Sequence, residues 1–141
     1  MLGADGAIKK MQDDSSERMA KALIIARDET ITTLSGTRSG RTYKVPGTKG
    51  AYYKASSPGE APASATGELR QHVSTSIEGN GNKIIGNIGI LEDAINEVTK
   101  ESIGDYAKCL EYGTKNMAAR PWLKPSCEKA TPEILKALRG Q

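Results

Sequence analysis

The stretch from Asp105 to Pro125 constrains the fold most, because it holds a helix stop, a short span and a helix start in immediate succession. It contains the only tryptophan, Trp122, and two of the five tyrosines, Tyr106 and Tyr112. Tyr106 to Tyr112 predicts a short helix, with Tyr106, Cys109 and Leu110 on one face at i, i+3 and i+4. Gly113 suits the left-handed residue that closes a helix. Thr114 to Ala119 serves as the connector. Arg120-Pro121 predicts the start of the second helix, because a proline at the first helical position has no N–H to leave unpaired and a preset φ. The result is a corner. Large aromatics at a corner either pin a core or form a contact surface. Glu111 and Arg120 flank it. They read either as an ion pair that fixes the connector or crosses to a neighbouring subunit, or as two exposed charges worth under about 1 kcal/mol.

Composition limits what surrounds that corner. A length of 141 residues fits one domain, spanning 1–141. Hydrophobic residues make up 37%, aromatics 4%, and there is no phenylalanine, so the core is thin for this length. Fifteen glycines and a mean hydropathy of -0.50 point the same way. These values predict a modest folded body, a sizeable part that does not pack on its own, and stability drawn from neighbours. A net charge of +3 and a pI near 8.8 are mildly basic and do not by themselves imply nucleic acid.

The two cysteines, Cys109 and Cys127, form no C-x-x-C pair, and one histidine leaves no zinc constellation. They predict reduced thiols, one or both buried on helix faces. No run approaches the length needed to cross a bilayer. Met1-Leu-Gly-Ala-Asp-Gly6 lacks the basic-then-apolar order of a secretory signal, which predicts folding inside the cell that makes the chain.

Residues 5–34 predict a long amphipathic helix. Ile8, Met11, Ser15, Met19, Ala22, Ala26, Thr30 and Thr33 recur at steps of three and four, and Leu23 and Leu34 widen the stripe. Lys10, Asp13, Asp14, Glu17, Lys21 and Asp28 take the other face. This predicts a core-covering helix with a solvated outer face, and the small residues predict close packing on another helix or a sheet.

Residues 35–68 form a long loop in which glycine, proline and serine break every period. Its charged residues up to Pro58 are Arg38, Arg41, Lys44, Lys49 and Lys54, interleaved with Tyr43, Tyr52 and Tyr53. That mixture is what a nucleic-acid backbone meets. The commoner alternative is a flexible arm that folds on a protein partner.

Residues 69–91 predict a β-hairpin. Val73, Thr75 and Ile77 alternate with polar residues, Gly79-Asn-Gly-Asn82 turns the chain, and Ile84, Ile88 and Ile90 share one face of the return strand. Gly86 and Gly89 predict a bulge or a close backbone approach. His72 is expected on an exposed strand position. Glu92 to Thr99 predicts a short helix. The C-terminal helix carries Cys127, Ala130, Ile134 and Leu138 at helical spacing, and Pro132 is expected to kink or divide it.

No catalytic constellation, metal site or cofactor motif stands out. The glycines at 79–89 lack the Gly-Lys-Ser/Thr ending of a phosphate loop. The carboxylate pairs Asp13-Asp14 and Glu92-Asp93 read as solvated helix surface.

Two groups of motifs, one at the corner and one in the loop, carry a family likeness. Tyr106-Ala107, Leu110-Glu-Tyr-Gly-Thr114 and Met117-Ala-Ala-Arg-Pro-Trp-Leu-Lys-Pro125 resemble the signature of the head–tail joining or tail-completion proteins of tailed bacteriophages. Ser56-Ser-Pro-Gly-Glu-Ala-Pro-Ala63 and Thr66-Gly-Glu-Leu-Arg70 resemble the same family's Pro-Gly-x-x-Pro and Thr-Gly-x-Leu elements. The path through 92–104 is longer than the family's. The resemblance implies an α+β fold: a long N-terminal helix and a C-terminal helix on a small antiparallel sheet built on a β-hairpin, with a long irregular loop. It implies a virion neck protein, assembled in the host cytoplasm, with six or twelve copies ringing the DNA channel between a head-side connector or stopper and the tail terminator or tube. No enzymatic activity, cofactor or membrane is implied. Tyr106, Leu110, Glu111, Tyr112, Gly113, Arg120, Pro121 and Trp122 would lie at subunit or partner contacts, and Arg38, Arg41, Lys44, Lys49 and Lys54 would face DNA in the lumen. On this reading Trp122→Ala is expected to harm assembly more than monomer folding. The alternatives are a tail terminator-like or minor tail protein, and a small nucleic-acid-binding module using the basic 36–54 arm.

Overall fold

A computed structural model describes residues 3–36, 38–45, 47–63, 67–80, 83–91, 93–97 and 100–141. Helix α1 (Ala4–Ser35) is followed by the short strands β1 (Thr42–Lys44) and β2 (Tyr52–Lys54). Next come a helical turn α2 (Glu68–Gln71) and strands β3 (Val73–Asn80) and β4 (Lys83–Ile90). Helices α3 (Ile103–Tyr112) and α4 (Leu123–Leu138) close the chain. The architecture is α+β, with two separate two-stranded antiparallel sheets, β1–β2 and β3–β4. Helix α1 lies against both α4 and the β3–β4 ribbon.

The expected small-residue packing is present. Ala22, Ala26 and Thr30 on α1 and Ser126, Ala130 and Ala137 on α4 are all buried. Without bulky side chains between them, two helix backbones approach closely. The hydroxyl of Thr30 stays satisfied there by donating to Ala26 O at 2.8 Å. At the rim of this contact Lys129 pairs with Glu29 at 3.0 Å.

The register of β3 and β4 is unbroken from Val73 opposite Ile90 to Asn80 opposite Lys83. The expected bulge is therefore absent, and close approach accounts for Gly86. A Cβ there would sit 2.5 Å from Met19 Sδ and 3.1 Å from Leu23 Cδ2, because α1 crosses the ribbon at this point. Ile84, Ile88 and Ile90 share the half-buried face with it. Gly81 and Asn82, expected in the turn, lie outside the described residues.

The core gathers at one end of the molecule. Leu34, Leu69, Val73, Ile103, Ala107, Leu110 and Trp122 form it, backed by Ile88, Ile90, Met117 and Leu123. Helix α1 covers the body only with its second half. Its buried residues begin at Ala22, whereas Ile8 and Met11 are 52% and 69% exposed. The apolar stripe is continuous in sequence, but the body beneath it ends halfway.

Four further expectations change. The 35–68 loop contains the β1–β2 ribbon, whose ladder continues through Gly40 N–H to Ala55 O at 2.8 Å and Val45 N–H to Ala51 O at 2.9 Å. Glycine and proline broke the side-chain period without preventing main-chain pairing. Residues 93–97 are not helical. A bridge between Ile95 and Ser102 and an Asn96 N–H bond to Glu101 O fold this segment back on itself, while Glu92, Val98 and Thr99 lie outside the described residues. Helix α4 is undivided, with Pro132 accommodated inside it. His72 is half-buried at the turn before β3, where its N–H bonds Leu69 O at 3.2 Å.

Candidate assembly and binding site: the aromatic corner and the basic ribbon

Helix α3 starts at Ile103, earlier than expected, because Ser102 caps it: its Oγ accepts the Asp105 N–H at 3.2 Å. At the other end Gly113 has φ 77, and its N–H closes on Cys109 O at 2.8 Å. A Cβ at Gly113 would meet Ala119 N at 2.9 Å, so the returning connector also needs glycine there. Thr114 and Met117 exchange both backbone bonds, and Arg120 N–H reaches Leu110 O at 2.6 Å.

Glu111 governs how α4 begins. The helix starts at Leu123, two residues later than Pro121 suggested, and its cap residue Trp122 supplies no side-chain acceptor. The Glu111 carboxylate takes that part. It accepts from the backbone N–H groups of Trp122 at 2.8 Å, Leu123 at 2.9 Å and Lys124 at 3.0 Å. The first N–H groups of a helix have no intrahelical partner, and negative charge is favoured beside them. A carboxylate from the preceding helix therefore locks the angle between α3 and α4. Proline outside the first turn still fits, since the residue before the cap needs no N–H.

Within the chain, Glu111 and Arg120 do not form the ion pair that would fix the connector. No salt bridge joins them among the described residues, because the carboxylate is committed to α4. Arg120 is half-buried, and its Nε is buried without a hydrogen-bond partner. Its charge acts on Tyr106. Partial burial and then the neighbouring Tyr53 push that phenol's pKa up, and Arg120 opposes them.

The corner residues thus separate by role. Trp122 is 3% exposed, and its Nε1–H donates to Ala107 O at 3.2 Å; Leu110 is also 3% exposed. Neither side chain is a surface contact, because the α3–α4 angle folds both inward. Glu111 and Gly113 hold the geometry, and Pro121 is half-buried. Tyr112, at 82% exposure, and Tyr106, at 55%, face outward. Tyr112 borders a groove of about 420 Å³ between α3 and β4, floored by Trp122 and Leu123 and flanked by Ile90 and Lys108. A second apolar groove, about 540 Å³, lies between the two termini, where Ile8, Met11 and Met19 meet Ile84 and Leu138.

The basic residues separate too. Arg38 is a staple: its Nε and Nη2 donate to Pro62 O at 3.1 and 3.0 Å, and Nη2 also to Thr33 O. It is therefore withdrawn from the DNA-facing set. Arg41, Lys44, Lys49 and Lys54 are exposed on the ribbon. The ribbon's base is clasped by Glu60, which accepts from Ser57 N–H at 2.9 Å, Ser39 N–H at 3.2 Å and the Ser39 hydroxyl. These bonds hold the Glu60 carboxyl below the usual range, the Ser39 hydroxyl first.

No group of three or more His, Cys, Asp or Glu residues that could hold a metal ion occurs among the described residues. Cys109 and Cys127 are free and half-buried. Burial, and then Glu111, push the Cys127 thiol up, away from a thiolate nucleophile. No helix among the described residues is long and apolar enough to cross a membrane.

Sequence reasoning missed the Glu111 cap, although a signal was present. An acid in the last turn of a helix opposes the dipole, and Arg120-Pro-Trp-Leu123 offers no Ser, Thr, Asp or Asn to cap α4. Together these two anomalies pointed to each other. No family model matches the chain, and no curated protein or solved structure matches it either.

Proposed function

We propose that this chain is a structural subunit that completes itself by closing into a ring with identical copies, and that the ring is a head–tail joining or tail-completion component of a tailed bacteriophage. The observation that carries the reading is surface. The chain exposes 9752 Å², whereas a compact monomer of 15.0 kDa exposes roughly 7,000 Å². The difference exceeds the area one partner buries in a standard interface, about 800 Å², and leaves room for the two contacts each ring member makes. The exposed surface includes Ile8, Met11, Ile24 and Tyr112. The resemblance of the corner and loop motifs supplies the phage context, with the head-side connector and the tail terminator or tube as neighbours and genomic DNA in the lumen.

Sedimentation and native mass measurement of the full chain test the ring. The expected result is a closed oligomer, six or twelve copies on the family pattern. The double variant Ile8→Asp/Met11→Asp is expected to shift it to monomers that keep the parent's secondary structure, since both side chains are exposed, and whose unfolding midpoint no longer depends on protein concentration. A chain that stays monomeric at every concentration overturns the ring. Absence from mature particles and tail intermediates overturns the phage assignment.

A further inference from the structure

We infer that the β1–β2 ribbon is a docking surface for duplex DNA, gripped through its phosphates without sequence preference. The inference deepens the proposed function and rests on it for the source of the DNA; the two fail separately.

Register sets which side chains share a face. Tyr43 pairs with Tyr53, Thr42 with Lys54 and Lys44 with Tyr52. Side chains alternate along a strand, so Tyr43 and Tyr53 share one face and Thr42, Lys44, Tyr52 and Lys54 share the other. On the first face the two rings lie 6.1 Å apart; Tyr53 is half-buried and near enough to Tyr106 to affect its ionisation, while Tyr43 stays 48% exposed. The second face is exposed, with Tyr52 at 66%. Lys44 and Lys54 are diagonal neighbours on it, about 7–8 Å apart at the backbone. Lys49 at the tip extends the positive charge, and Arg41, two residues before Tyr43, is exposed at the base on the other face.

Charge selects the partner. No carboxylate side chain occurs between Glu29 and Glu60 in the sequence, and Glu60 is occupied by Ser39 and Ser57. None of Arg41, Lys44, Lys49 and Lys54 forms a salt bridge among the described residues. Duplex DNA presents a phosphate charge about every 1.7 Å of its axis, a density an acidic protein does not sustain. Shape agrees, since the major groove, about 12 Å wide, admits a two-stranded ribbon. The outer face carries no Arg, Asn or Gln able to read a base edge through paired hydrogen bonds. Lysines act as point charges on phosphate, and the Tyr52 hydroxyl adds a donor of the kind that contacts backbone oxygens.

The test is a salt series with the full chain and two labelled duplexes of unrelated sequence. Each phosphate contact contributes about -0.9 to the slope of log affinity against log salt. The expected slope lies between about -2 and -4 for each ribbon in contact with the duplex, equal for both sequences. Lys44→Gln/Lys54→Gln should reduce its magnitude by about 2 on both duplexes and leave the oligomeric state unchanged. An unchanged slope in that variant, or no duplex binding at low salt, overturns the inference. So does tighter binding of single-stranded DNA or of polyglutamate than of duplex. Loss of assembly in the Ile8/Met11 variant with duplex binding intact leaves the ribbon standing.

Discussion

The corner at 103–125 and the ribbon at 40–55 are both short, tyrosine-bearing segments punctuated by glycine and proline, yet they keep their shape by different means. The corner is held by burial. Trp122 sits in the core, and the carboxylate on which α4 begins comes from α3. The ribbon is held by main-chain bonds and a carboxylate clasp at its base, with little buried apolar surface behind it. Side-chain burial couples a segment to the whole fold. Backbone pairing in water stabilises only the segment itself. Damage to the corner should therefore unfold the protein, and damage to the ribbon's base should open the ribbon alone.

Trp122→Ala tests this hardest. Emptying a buried indole site costs about 3–5 kcal/mol, so the denaturation midpoint of the whole chain should fall sharply. This reverses the sequence-based expectation that the variant would harm assembly and spare folding. A midpoint within error of the parent would mean that the corner is not part of the core.

Glu111→Ala removes the acceptor from three helical N–H groups while leaving the core apolar. A lost cap costs about 0.5–2 kcal/mol, and the part-buried Trp122 and Leu123 N–H groups left unpaired put the loss toward the upper end of that range. Glu111→Gln, which keeps one acceptor oxygen and loses the charge, should fall between parent and alanine variant. Equal stability of all three in denaturant melts would break the claim that the carboxylate sets the α3–α4 angle.

The smallest effect belongs to Glu60. Its carboxyl is held below the usual range in the folded chain, so the clasp is fully present above the unfolded-state pKa of about 4.3 and is lost as pH falls through the lower folded value. Acidification should move the amide resonances of Ser39 and Ser57 in that window, and Glu60→Gln should show the opened positions at neutral pH. The unfolding midpoint at neutral pH should stay unchanged in that variant. A global loss of stability there would erase the distinction between the two regions.

Much of the molecule was legible where the signal is local. The alternation at Val73, Thr75 and Ile77 marked β3, and steps of three and four marked α1, α3 and α4. Gly113 marked the stop between the last two helices. Each depends on residues within a turn or two of one another. The ribbon was not legible because three-residue strands leave no period to detect, and the helix expected at 92–99 depended on a few scattered apolar residues that the fold uses otherwise.

Sequence alone determined that the longer periodic segments coil or extend as they do, and that too little apolar mass exists to cover all of them. Tertiary structure decided the rest. It buried Trp122 and exposed Tyr112, left the first half of the α1 stripe bare, and turned Glu111 from a surface charge into the cap of a later helix. Those outcomes depend on which surfaces meet across the fold. Local spacing carries no information about a partner that arrives from a distant element.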